Sequence, residues 1–120
     1  MGLKTVLLVF VGGGLGSILR WFLARVLPID KTGFPWSTLL SNVIASLLLA
    51  VLLFQFKDHP KWTSLQPLIV VGFCGGLSTF STFSFENYQL LQQGQLALFG
   101  LNIFVSLTLG LLGFWFLARL

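Results

Sequence analysis

Gly72-Phe73-Cys74-Gly75-Gly76-Leu77-Ser78-Thr79-Phe80-Ser81-Thr82-Phe83-Ser84 is the stretch on which the fold turns. It lies inside an apolar run from about Trp62 to Leu91, closed by Gln92, Gln93 and Gly94. Roughly 30 helical residues measure about 45 Å, well beyond a hydrocarbon core of about 30 Å. Gly75-Gly76 followed by Ser78 and Thr79 is poor helix interior, because glycine carries the largest entropy cost and short hydroxyl side chains compete for backbone partners. The segment predicts a helix broken mid-membrane. A break at that depth frees main-chain groups, which are tolerated only inside protein or beside a water- or ion-filled cavity. Broken helices also aim the partial charges of their ends at ions. A simple glycine kink is the plainer alternative.

Outward from this segment, three more apolar runs appear. The spans read as about 3–27, 36–56, 62–91 and 95–120, one four-helix transmembrane domain over residues 1–120. Polar connections separate them: Pro28, Asp30, Lys31 and Gly33, then Lys57, Asp58, His59, Pro60 and Lys61. Trp36, Trp62 and Trp115 sit near span ends, as interfacial aromatics do. Composition agrees: 56% of residues are hydrophobic and only 8% charged, against about 25% charged in soluble domains. So few charges cannot cover a soluble surface, and lipid must be part of the solvent. Lys4 precedes the first run, but no small-x-small cleavage pattern follows, so that run reads as a retained span.

Net charge is +4, with seven Lys and Arg against three Asp and Glu. The cations lie near the ends of apolar runs, which suits headgroup contact and topology signalling, not nucleic acid. Four spans put both termini on one side, with Lys4, Lys57, Lys61 and Arg119; Arg25, Lys31 and Arg20 mark the other. Four against three is a weak positive-inside bias. Insertion in both orientations produces such a bias, and so does one orientation fixed by a slight excess. Cys74 and His59 are the only residues of their kinds, so neither a disulfide framework nor a zinc cluster forms within one chain.

Small residues recur at four-residue spacing: Gly12 and Gly16, then Ser37, Ser41 and Ala45, then Gly72 and Gly76, then Ser106 and Gly110. That spacing lets membrane helices approach closely. Four short helices enclose a conduction path poorly, which favours an oligomer. Gly12-Gly13-Gly14-Leu15-Gly16-Ser17 is not a dinucleotide loop, since no strand precedes it and Ser17 stands at the last glycine position.

Polar residues within spans are costly and are functional candidates by default. Asn42 lies about 9 Å into the second helix, where its amide can donate to an anion or join a helix–helix hydrogen bond. Ser78, Thr79, Ser81, Thr82 and Ser84 form either a polar track or a set of hydroxyls bonded back to helix carbonyls. Asn102 and Ser106 share a face of the fourth helix. Phe80 and Phe83 also share a face, and aromatic edges carry positive charge that can touch an anion without trapping it. Packing alone is the ordinary role for such rings. Arg20 sits about 26 Å along the first helix, either snorkelling to headgroups or drawing anions into a vestibule. Glu86 is the only acid inside any span.

These motifs resemble the CrcB/Fluc fluoride channels. The segment from Gly72 to Ser84 is similar to that family's signature, Gly12 to Arg20 to its glycine-rich first helix, and Thr38-Leu39 with Asn42 to its second-helix motif. The resemblance covers essentially the whole chain. It implies an antiparallel, dual-topology homodimer with two fluoride pathways and a central structural sodium ion at the interface. Backbone carbonyls of Gly75 and Ser78 would hold the sodium. Phe80 and Phe83 would face fluoride, and Asn42, Ser81 and Thr82 would line the path. Glu86 occupies a matching position, Asn102 and Ser106 fall on the more variable fourth-helix part of the pattern, and Arg20 would stand in the vestibule. Ser37, Ala45 and Ala50 replace usual glycines, and Ser78 a usual threonine; none removes an ion contact. The implied role is passive fluoride export that protects the cell from fluoride toxicity, in the bacterial inner (plasma) membrane, with lipid, fluoride and a second copy as partners.

Fluoride is small and tightly hydrated, so a selective path must replace its water with close donors. Rival classes fit less well. A small proton antiporter needs a carboxylate in its first span, which has none. An accessory subunit leaves the break without purpose. An enzyme lacks a nucleophile–base pair within the spans, and no Walker A motif supports nucleotide hydrolysis.

Overall fold

The computed structural model describes residues 2–120, and these are helical apart from short connections. The helices are α1 (Leu3–Val26), α2 (Trp36–Gln55), α3 (Trp62–Gln66), α4 (Gly75–Leu77), α5 (Phe80–Gln92) and α6 (Leu96–Leu117), with a π-helical segment, Pro67–Cys74, joining α3 to α4. Four helical stretches are long and apolar enough to cross a membrane: Leu3–Val26, Trp36–Gln55, Trp62–Gln92 and Leu96–Leu117.

The third stretch departs from regular helix in two places. Pro67 has no N–H to give, and its ring crowds the carbonyl four residues back. From there the turns widen, until the Gly75 N–H donates to the Val70 carbonyl five residues earlier. The full interruption follows at Ser78 (φ −79°, ψ 153°) and Thr79 (φ −151°, ψ 120°), both extended. Gly75 itself stays helical (φ −64°, ψ −36°). The chain therefore opens at the two hydroxyl residues and not at the paired glycines.

The glycines serve packing instead. α1 lies along the π segment and α4, backbone against backbone. A Cβ on Gly12 would fall 2.0 Å from the Leu68 carbonyl oxygen, and one on Gly16 2.3 Å from that of Phe73. From the other side, a Cβ on Gly76 would meet the Gly13 carbonyl oxygen at 2.5 Å. Dispersion across so close a contact, not hydrophobic transfer, holds helices together in lipid. α2 packs on α6, and α5 reaches α6 beyond the break. Ala45, Cys74 and Leu77 centre the small core, flanked by Leu19, Leu23, Ile44 and Phe73.

Connections are short and internally bonded. In the loop before α2, Asp30 accepts from the Thr32 N–H (2.9 Å), the Thr32 hydroxyl and the Trp36 indole N–H (3.2 Å). Gly33 there has φ +84°, and Gly94 in the α5–α6 turn has φ +73°, a region other L-residues rarely enter. Arg25 and Arg119 lie over the rings of Trp21 and Trp115, at 5.5 and 3.9 Å, near the ends of α1 and α6.

Candidate functional site

The break organises the polar groups around it. Thr79 N–H, freed from the helix ladder, donates to Asn42 Oδ1 at 2.7 Å, and Asn42 Nδ2 donates back to the Thr79 carbonyl at 3.3 Å. The α2 amide thus replaces the peptide neighbour that Thr79 lost. Its second Nδ2 hydrogen is not used by that pair. Thr79 Oγ1 accepts from the Thr82 N–H at 3.2 Å and so caps the restarted helix α5. Ser78 turns the other way, and both its N–H (3.0 Å) and its hydroxyl (2.8 Å) donate to the Cys74 carbonyl.

The end of α4 leaves carbonyls pointing out of a finished helix. Arg20 Nε donates to the Gly76 carbonyl at 3.0 Å, so the first-helix arginine reaches the break itself. The carbonyls of Gly75, Leu77 and Ser78 receive no hydrogen bond from the described residues. Oxygen dipoles of this kind are the donors a hard cation prefers. Among the described residues no cluster of His, Cys, Asp or Glu offers another metal site.

Beside the break a cleft of about 310 Å³ is lined by Asn42, Ser46, Ser78, Thr79, Phe80, Phe83, Ser106 and Leu107. The Phe80 and Phe83 ring centroids are 6.4 Å apart and tilted by 38°. Phe83 is partly covered, while Phe80 is 80% exposed. The wall therefore offers amide, hydroxyl and aromatic groups, with no carboxylate among the lining residues.

Other sequence-predicted residues stand apart from this cleft. Ser81 is exposed, its hydroxyl 3.3 Å from that of Thr79, and Thr82 acts through its backbone N–H. Asn102 is buried behind Ser106: Ser106 Oγ donates to Asn102 Oδ1 at 3.3 Å, and Asn102 Nδ2 donates to Asn87 Oδ1 at 3.0 Å. Glu86 Oε1 and Ser41 Oγ are buried without a hydrogen-bond partner. Ser46, Leu107 and Asn87 are not singled out by the sequence. Ser46 has a signal there, since it falls four residues after Asn42 on the same face of α2.

Residues 7–117 match the family described as CrcB-like protein, Camphor Resistance (CrcB). The chain belongs to the CrcB family. A relative from Pyrococcus abyssi, named fluoride-specific ion channel FluC, is 45% identical over 95% of this chain and 96% of its own. Relatives of the same name occur in Methanococcus maripaludis (36% identical, 98% and 95% covered) and Escherichia coli (41%, 94% and 93%). These CrcB relatives are named as ion channels and not as enzymes. Four apolar helices together with this membership make the chain a multi-pass integral membrane protein. Its relatives come from archaea and bacteria alike, so the likeness assigns it to no particular type of cell and does not single out a bacterial inner membrane.

Proposed function

We propose that this chain is the subunit of a fluoride-selective channel that lets fluoride leave the cell down its electrochemical gradient, relieving fluoride toxicity. The observation that carries this reading is the cleft at the break, where the Asn42 amide, the Ser106 hydroxyl and the Phe80–Phe83 pair line one wall. The names of the FluC relatives support the choice of ion.

Dehydrating fluoride is costly, so hydrogen-bond donors must replace its water. Asn42 keeps one amide hydrogen outside its pairing with Thr79, and Ser106 carries a hydroxyl in a long, weak bond. Ring edges of Phe80 and Phe83 add weak positive potential without a deep well, which lets an ion move on. Ser81, Thr82 and Glu86 extend the polar route along α5, and Asn102 supports Ser106 from behind on α6. Arg20, hydrogen-bonded to the Gly76 carbonyl, adds positive charge beside the break.

The functional unit is an antiparallel homodimer in a plasma membrane. Support comes from the weak charge asymmetry between the two sides and from unpartnered carbonyls at Gly75 and Ser78. Two copies facing each other would supply four such oxygens, a fitting set for a sodium ion. A bound sodium supplies fixed positive charge that ties the broken helices together.

The test is efflux from liposomes, with fluoride and chloride followed separately. Fluoride should leave and chloride stay. Equal rates reject the channel, and uphill fluoride movement driven by a proton gradient makes it a carrier. Phe80→Ile and Phe83→Ile should each slow fluoride; unchanged flux in both makes them packing residues. Replacing sodium by a large organic cation during purification should lower thermal stability of the dimer, and an unchanged melting temperature removes sodium from the proposal.

A further inference from the structure

Asn87 belongs to no motif of the cleft, yet it is joined to it. It lies on α5 at 6% exposure, and its Oδ1 takes a hydrogen from Asn102 Nδ2 at 3.0 Å. Asn102, 1% exposed on α6, then has its own Oδ1 turned to Ser106, whose hydroxyl donates to it at 3.3 Å. Ser106 lines the cleft. A buried carboxamide has one donor end and one acceptor end, so engaging one end fixes what the other presents.

We propose that Asn87 is a positioning residue for conduction: by holding the amine end of Asn102, it makes Asn102 an acceptor for Ser106 and keeps the Ser106 proton parked away from the cleft until an anion arrives. The inference rests on the fluoride-channel reading above. The parked bond is long, so the proton swings to a passing anion at little cost and returns when it leaves. Conduction needs binding weak enough for exit as well as strong enough for entry. Without Asn87, Asn102 is free to turn its amine onto Ser106 Oγ. The Ser106 proton then faces the cleft permanently, and the anion is held too long.

The experiment is fluoride efflux against fluoride concentration for the wild type, Asn87→Ala, Ser106→Ala and the double variant. Asn87→Ala should lower maximal flux and half-saturating fluoride together, by about tenfold, the size of one hydrogen bond to a charged partner. In the Ser106→Ala background the same change should alter neither quantity. Asn87→Gln, which keeps a carboxamide, should recover part of the flux. An unchanged half-saturation in Asn87→Ala, or an equal loss in both backgrounds, overturns the proposal and leaves the channel reading intact. A wild type that passes no fluoride removes the channel reading itself, and this inference with it. If Asn87→Ala does not assemble, Asn87→Thr retains bulk and polarity but shortens the acceptor, and the same two readings decide.

Discussion

At Thr79 a single residue has lost both its helix partners, and a side chain from another helix replaces them. The Asn42–Thr79 pair meets two main-chain groups at once, at 2.7 and 3.3 Å. Asn42→Ala leaves those groups unmatched and should destabilise the fold by about 1–3 kcal/mol. Thermal unfolding in detergent measures this, and a loss of flux with an unchanged melting temperature would make Asn42 purely an ion contact. Asp30 offers a second residue-scale test, outside the spans. Hydrogen bonds led by the Thr32 hydroxyl, with help from the Trp36 indole, hold its carboxyl below the ordinary carboxylate value. A depressed folded-state value means the contribution is present above the unfolded value and fades as pH falls through the folded one. Trp36 fluorescence should therefore stay flat from about pH 5 to pH 8 and change only in strong acid. A transition near neutrality would mean that another group governs the loop.

The unit that matters among the elements is α1 locked on the π segment and α4. Because the contact is backbone on backbone, neither side can yield to a new side chain. Gly16→Val should cost at least about 3 kcal/mol or prevent assembly. A methyl group added at Gly100 on α6 would meet nothing within 4 Å, so Gly100→Ala should shift stability by no more than about 1 kcal/mol. Melting temperatures of the two variants compare these directly, and equal effects would mean that α1 does not sit so close. The same element separates what sequence foretells from what it does not. Gly12, Gly16, Gly72 and Gly76 announce a tight contact through their spacing. The widened turns after Pro67 have no such signal, although proline by itself disturbs a ladder, because how the helix re-forms depends on what packs against it.

On the scale of the molecule, much of the apolar surface is uncovered. Phe10, Phe80, Phe104 and Leu111 are all more than half exposed. In a bilayer that surface meets lipid or a second copy, and the proposed antiparallel pairing has a direct test. A small tag at each terminus should react with a membrane-impermeant label from both sides in comparable amounts. Labelling from one side only would remove dual topology.

Four apolar runs and a disrupted third one follow from the sequence, because a stretch near 20 residues with few charges has only the bilayer to enter, and a glycine pair before two hydroxyl residues is poor helix interior. Position by position, the outcome belonged to tertiary structure. Gly75 stays helical between Gly72 and Gly76, which α1 approaches closely, and Ser78–Thr79 open because Asn42, 37 residues from Thr79, captures the freed peptide. Likewise Asn87 and Asn102, 15 apart, meet only because α5 folds back on α6. Local sequence sets which backbone groups come loose; only the packed helices decide which side chain answers them.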